Sequence, residues 1–257
     1  MATKFIQHQW QALTSHEVHS PFLFRLNEEV FQNTRHYYAF DEIAFRRDQL
    51  LQSTQRIPVT DFGAGSQVVT GKERRVADIA RTSLTSPHFG KLLFKLAQFH
   101  QPKTILEIGT SLGISAAYLA SGAPDAQVIT LEGSPHIAQL AKDQFEALGL
   151  NRITLLEGEF STTLPKALSQ VKSLDMVFID GNHQFAPTLS YFEQIKPYLH
   201  DHALVIFDDI HWSKGMHKAW EMVKQDPMVR VSIDLFYKGI IAFDPGFREP
   251  VHVKMRY

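Results

Sequence analysis

Three aspartates and a histidine stand in two short stretches, FIDGNH and FDDIH, as Asp180, His183, Asp208 and Asp209. If those stretches close neighbouring strands, about 4.8 Å apart, the carboxylates converge. Two like charges about 4 Å apart repel by about 4 kcal/mol at an effective dielectric near 20, so the cluster either keeps a proton or binds a cation. Oxygen ligands alone select a hard ion such as Mg²⁺, which makes Asp180, Asp208 and Asp209 candidate metal ligands. A histidine side chain in general titrates near neutrality, which makes His183 a candidate to take a hydroxyl proton. The structural alternatives are that Asp208 and Asp209 cap the next helix, that Asp180 serves a cofactor only, and that His183 is hydrogen-bonded in its loop. Beyond them, His211 and Trp212 are expected to line a pocket, and Lys214 to be solvated or to meet an acidic substrate.

Two glycine-bearing stretches compete for a ligand. One is VTDFGAGSQVV, Val59 to Val69, and the other ILEIGTSLGIS, Ile105 to Ser115. A nucleotide-like cofactor needs a tight turn after a strand, where backbone approaches closely, and an acid at the tip of the next strand for its ribose hydroxyls. The second stretch meets both conditions, with Gly109 and Gly113 after a strand and Glu132 closing VITLEG. Its G-T-S-L-G spacing is not the G-x-G-x-x-G of a dinucleotide site. The first stretch follows a short, proline-containing run and precedes a polar, helix-like segment. Gly63 and Gly65 are therefore read as a turn with positive φ, with a mobile lid over Asp61 to Ser66 as the functional alternative.

The elements that must hold these residues change character near residue 100. Before it, helical spacing recurs in FLFRLNEEVF, RRVADIARTSL and FGKLLFKLAQF. After it, strands TILEIG, QVITLEG, RITLLEG, LDMVFIDG and ALVIFDD alternate with helices, which predicts a parallel, doubly wound sheet. VRVSIDLFY and GIIAFD follow, joined through a couple of residues around Lys238 and Gly239, and form an antiparallel hairpin. Residues 1–84 are expected to be a helical extension or cap, and 85–257 the core.

That core resembles the seven-stranded class I S-adenosylmethionine-dependent methyltransferases, which implies the strand order 3-2-1-4-5-7-6 with strand seven antiparallel. The stretch from Glu107 to Ser115 is similar to the LEIGTxxGxS loop of O-methyltransferases. The resemblance implies that Glu107 faces the methionine amino group, Glu132 takes the ribose, and the EGEF segment borders the adenine. It thus implies a cofactor site of Glu107, Gly109, Thr110, Ser111, Gly113, Ser115, Glu132, Gly133, Gly158, Glu159, Phe160 and Asp180. The acids resemble the divalent-metal site of catechol- and caffeoyl-coenzyme-A-type enzymes and of macrolide-sugar O-methyltransferases. Asp209, in place of the Asn of the former, fits the sugar branch better. His183 is then the base, beside Asp180, in a D-G-x-H context. Metal-assisted O-methylation of a small hydroxylated acceptor follows. The rivals are metal-independent methylation of a nitrogen or carboxylate, a non-catalytic binding module, and a nicotinamide dehydrogenase.

Composition narrows the partners. The chain has 257 residues, a formal net charge of −1 and no cysteine. Disulfides, thiolate metal sites and cysteine nucleophiles are excluded, and no bulk positive field recruits nucleic acid or an anionic membrane. No basic region followed by an apolar run opens the sequence and no apolar run is long enough to span a bilayer, so a cytoplasmic protein is expected. Trp10, His16, His19, Phe22 and Phe24 are expected to form a helical cap, or else a homodimer contact.

Overall fold

The computed structural model describes residues 2–12, 20–61 and 69–257. It comprises two compact units, Met1–Asn33 with Val171–Tyr257, and Thr34–Gln170. The first unit opens with α1 (Ala2–Gln11) and α2 (Pro21–Leu26). Ser20 caps α2 by accepting from the Leu23 amide, and Pro21 sits where a missing N–H does no harm. A π-helical turn, Asn27–Phe31, carries the FLFRLNEEVF helix to its end.

The second unit begins with α3 (Tyr38–Gln52), and then departs from expectation. Arg56–Asp61 and Val69–Arg75 are strands, β1 and β2, paired antiparallel with Arg56 opposite Arg75 and Asp61 opposite Val69. The segment 71–75, read as helical from its polar composition, is strand because β1 supplies its backbone partners; the helix α4 begins only at Val76 and ends at Ser83. The extension therefore contains a hairpin as well as helices. Phe62 to Val68, with Gly63 and Gly65, lie outside the described residues, and so does the choice between turn and lid.

From there the alternating pattern is realised. It runs α5 (Pro87–His100), β3 (Thr104–Ile108), α6 (Ile114–Gly122), β4 (Gln127–Glu132), α7 (Pro135–Ala147), β5 (Ile153–Glu157) and α8 (Phe160–Leu168). β3, β4 and β5 are parallel neighbours in the order β5-β4-β3, the expected 3-2-1. α6 is apolar on every side and buried almost throughout, as a helix wholly inside a layered fold must be.

The first unit resumes with β6 (Leu174–Ile179), α9 (Phe185–Ile195), β7 (Leu199–Asp208), α10 (Lys214–Lys224), β8 (Val231–Asp234), β9 (Lys238–Ala242) and β10 (Val251–Lys254). Its strands run β6-β7-β9-β8, the expected 4-5-7-6 with β9 antiparallel to both neighbours. An additional edge strand, β10, lies parallel to β8.

The hairpin turn occupies residues 235–237, not the positions around Lys238 and Gly239. Asp234 Oδ1 accepts from the Phe236 amide at 2.8 Å, and Phe236 takes the left-handed φ of +73°. This side-chain turn moves Lys238 into β9, directly opposite Asp208. Gly239 is glycine for a packing reason, since a Cβ there would lie 2.7 Å from the buried Trp220 ring.

α1 is tied to the same hairpin and to the chain at and just after β10. His8 Nε2 lies 3.0 Å from the Asp234 carbonyl oxygen, Lys254 donates to Gln11 Oε1 at 2.5 Å, and Arg256 donates to the Gln9 carbonyl at 2.8 Å. Phe22 packs edge-on against Phe247, whereas Trp10 is 85% exposed; His16 and His19 lie outside the described residues. Among the described residues no helix is long and apolar enough to cross a membrane.

Candidate functional site

In the unit of residues 34–170 the loop after β3 is held open by backbone conformation. Gly109, Ser111 and Gly113 have φ of +105°, +48° and +85°. The Gly109 and Thr110 amides both donate to the Leu131 carbonyl, at 3.1 and 2.9 Å, so the turn is fastened to the end of β4. Gly113 has a second constraint, because a Cβ would come within 2.8 Å of the Phe145 ring. Neither requirement is met by another L residue without strain.

Two glutamates face this loop from consecutive strands. Glu132 receives the Ser111 amide on Oε2 and the Ser134 amide on Oε1, both at 2.9 Å. Burial raises its pKa, and the amides of Ser134, Ser111 and Gly133 oppose that rise. Glu107 is fully buried. Its Oε2 accepts from Thr130 at 2.5 Å and Oε1 has no hydrogen-bond partner. Burial pushes its pKa up to about 7, against the Thr130 and Ser115 hydroxyls. A buried acceptor with no donor is unfavourable by roughly 1–3 kcal/mol and is the place where a cationic donor gains most.

The EGEF segment joins the same corner. The Gly158 amide donates to the Glu132 carbonyl at 2.9 Å, with φ at +130°. The Glu159 carbonyl accepts from Thr162 and Thr163 at the start of α8, which Phe160 opens. Glu157 is paired with Lys142. The sequence-predicted loop residues thus gather around Glu107 and Glu132. Thr130, which orients Glu107 and also contacts Thr110 at 2.6 Å, was not among them; its place two residues before Glu132, on the Glu107-facing side of β4, is the signal that marks it.

The acids lie in the other unit. Parallel pairing of β6 with β7 sets Ile179 opposite Phe207, so Asp180 and Asp208 follow side by side. Asn182, His183 and Asp209 adopt positive φ of 62°, 36° and 54°. Left-handed conformations at residues other than glycine are strained, and they concentrate where a site dictates side-chain direction. His183 stands between two acids, with Nε2 3.6 Å from Asp180 Oδ1 and Nδ1 3.8 Å from Asp209 Oδ2. It is about one-third exposed, as a group that meets a ligand must be.

A cation is already present. Lys238 Nζ lies 2.5 Å from Asp208 Oδ1, and both side chains are largely buried. Burial alone would raise the pKa of Asp208. The Lys238 charge, hydrogen bonds from Asp180 and Lys238, and the His183 charge outweigh it and hold the carboxyl below its usual range. Asp209 shifts the other way, raised by burial and the Asp208 charge. Asp208 Oδ1 also accepts the Asp209 amide at 2.7 Å.

Three bare carboxylates around one divalent ion are therefore not what this arrangement offers. One oxygen of Asp208 is taken by an ammonium and an amide. No group of three or more acid or histidine side chains with metal-binding geometry occurs among the described residues. Asp180, Asp208 and Asp209 do converge, but the expected cation set does not fit them.

His211 pairs with the hairpin instead of the acids. Its Nε2 lies 2.8 Å from Asp234 Oδ2, while His8 Nε2 approaches Oδ1 at 3.0 Å. Together with burial working the other way, these histidines hold Asp234 well below the usual carboxylate range. His8, His211, His217 and Phe236 line a cleft of about 180 Å³. Trp212 is 64% exposed and Lys214 is on the surface.

Residues 106–210 match the methyltransferase domain family. The chain is 28% identical to a catechol O-methyltransferase of Niastella koreensis over 188 residues, covering 72% of this chain and 76% of that protein. It is 32% identical to a putative O-methyltransferase of Mycobacterium sp. (strain JLS) over 118 residues, or 45% of this chain and about half, 52%, of that relative. Among solved structures, an O-methyltransferase from Bacillus cereus in complex with SAH aligns with a TM-score of 0.59 at 20% identity, covering 84% of this chain and 94% of the other. The last of these establishes the fold.

Proposed function

We infer that this chain, a class I S-adenosylmethionine-dependent O-methyltransferase by its domain and its relatives, methylates a hydroxyl of a small acceptor. The observation that carries the cofactor reading is the buried, unpartnered Oε1 of Glu107 beside a loop of left-handed residues fastened to β4. An ammonium group satisfies Glu107. The free lone pairs of Glu132 suit vicinal hydroxyls, and the segment from Gly158 to Phe160 supplies the border for a base. Gly109, Thr110, Ser111, Gly113 and Ser115 hold this geometry, and Gly133 holds Glu132. When bound, S-adenosylmethionine supplies an electrophilic methyl group on a sulfonium.

The chain's own residues must then free the acceptor's oxygen lone pair. His183 is the group for this task, because a neutral imidazole accepts the hydroxyl proton and the resulting cation is stabilised by Asp180 on one side and Asp209 on the other. The strained backbone at Asn182 and His183 fixes the ring's direction, and the Asn182 amide group, donating to Tyr191 at 2.5 Å, braces the turn. General-base catalysis of this kind contributes about 10²–10⁴-fold, and positioning contributes the larger share. The catechol O-methyltransferase relative supports a hydroxyl acceptor. The positive charge beside Asp208 comes from Lys238.

Thermal unfolding with S-adenosylmethionine, its demethylated product or NAD tests the cofactor. The first two are expected to raise the midpoint and NAD is not; the reverse pattern overturns the assignment. Replacing His183→Gln is expected to lower kcat by about 10²–10⁴-fold with the cofactor-induced shift retained. Unchanged turnover in that variant removes His183 as the base.

A further inference from the structure

We propose that the Lys238 ammonium is the built-in cation of the acid site, standing where a divalent ion would stand beside Asp180 and Asp208, so that the chain works without metal. The proposal rests on the acid site of the preceding reading, but its decisive readout is metal binding and not turnover, so the two fail separately.

The geometry begins with register. β9 runs antiparallel to β7 and sets Lys238 opposite Asp208, which makes the two side chains cross-strand neighbours on one face. The lysine then reaches past β7 towards β6. Its Nζ lies 5.4 Å from the centre of the Phe178 ring on β6, two residues before Asp180. It ends 2.5 Å from Asp208 Oδ1, with 3% of the residue exposed. A lysine so deeply buried is retained only where its charge is matched, and the charge beneath it is the acid cluster itself.

Lys238 places one fixed positive charge at Asp208 Oδ1, and the Asp209 amide takes the same oxygen. The acid cluster thus already contains a fixed cation, which reduces the net negative charge open to a divalent ion. Such an ion would have to displace the ammonium from Asp208 and remain beside it, like charge against like charge in a site of low dielectric. Lys238 is a positioning residue in this scheme. It keeps Asp208 anionic and directs the acids that flank His183, and being part of the chain it cannot be lost to a chelator.

The test uses the full chain and Mn²⁺ as the probe, followed by electron paramagnetic resonance and calorimetric titration, with Mg²⁺ as competitor. The wild type is expected to bind no stoichiometric Mn²⁺ and to keep its turnover in EDTA. Lys238→Met exposes the bare carboxylates and is expected to bind Mn²⁺ at least about tenfold more tightly than the wild type. That gain should disappear in the double variant carrying Asp208→Asn as well. Lys238→Arg retains a cation and should stay blind to the ion. One tight Mn²⁺ site in the wild type, lost with Asp208→Asn, overturns the proposal, as does loss of turnover in EDTA restored by Mg²⁺. Should Lys238→Met fail to fold by circular dichroism, the wild-type titration and the EDTA assay decide the question alone.

Discussion

The glutamates near the ends of β3 and β4 and the aspartates at the ends of β6 and β7 are all carboxylates at strand ends, yet the protein stabilises them in opposite ways. Glu132 is satisfied by backbone amides, and Glu107 by a hydroxyl on one oxygen and by nothing on the other. Asp208 is met by a lysine from within the chain. Glu107 therefore keeps one buried oxygen without a donor, while Asp208 is matched by a cation of the chain itself. A carboxylate in a doubly wound fold thus indicates a ligand only when its neighbours leave it short of donors.

The sharpest way to break this contrast is to remove the internal ion pair from one side. Asp208→Ala leaves the Lys238 ammonium buried without its carboxylate, and a loss of about 3–5 kcal/mol is expected by chemical denaturation. A loss below about 1 kcal/mol would place the lysine in solvent and dissolve the distinction. A somewhat smaller effect should appear at Glu107 as a pH dependence. Its folded pKa, about 7, lies above the reference value of 4.5, so the folded state holds the proton more tightly than the unfolded state. The associated stability is complete below about pH 4.5 and is lost as the pH rises through about 7, in total about 3 kcal/mol for the ligand-free protein. Glu107→Gln should flatten that profile. It should also remove the rise in S-adenosylmethionine affinity between those pH values, where the carboxylate ionises and can take an ammonium. Least disruptive is Gly113→Ala, which combines a left-handed φ with a contact on Phe145. A destabilisation of about 1–3 kcal/mol is expected, with weaker cofactor binding in the same titration; full affinity would show that the loop tolerates a side chain and is not a tight cradle.

The loop after β3 and the two glutamates beside it were legible because their determinants are local. Strand, glycine, glycine, helix and an acid on the next strand lie within one stretch of chain from Glu107 to Glu132, and the fold needs only one strand pairing to join them. The acids were also legible as a cluster, from two strands ending in the same chemistry. Lys238 was not, because its role depends on where a turn falls. Read as a turn residue next to glycine it is solvent-exposed. Moving the turn to residues 235–237 through the Asp234 side chain puts it into a ladder against a strand some 30 residues earlier in the chain. No local pattern reports that register. The β1–β2 hairpin escaped for a similar reason, since β2 is polar and owes its extended form to its partner.

The ties of α1 to the last strands have a consequence for how the protein comes into being. His8 meets Asp234, Gln11 meets Lys254 and Gln9 meets Arg256 across sequence separations of 226, 243 and 247 residues. On the ribosome, the first helix to emerge must wait for the last strands, while the unit from Thr34 to Gln170, with its β3–β5 cradle, closes on shorter loops. The cradle can thus be assembled early in synthesis, and Lys238 is among the last residues to take its place. A ribosome-bound chain stopped near residue 200 already holds all of Thr34–Gln170, while the hairpin that carries its internal cation has yet to be made.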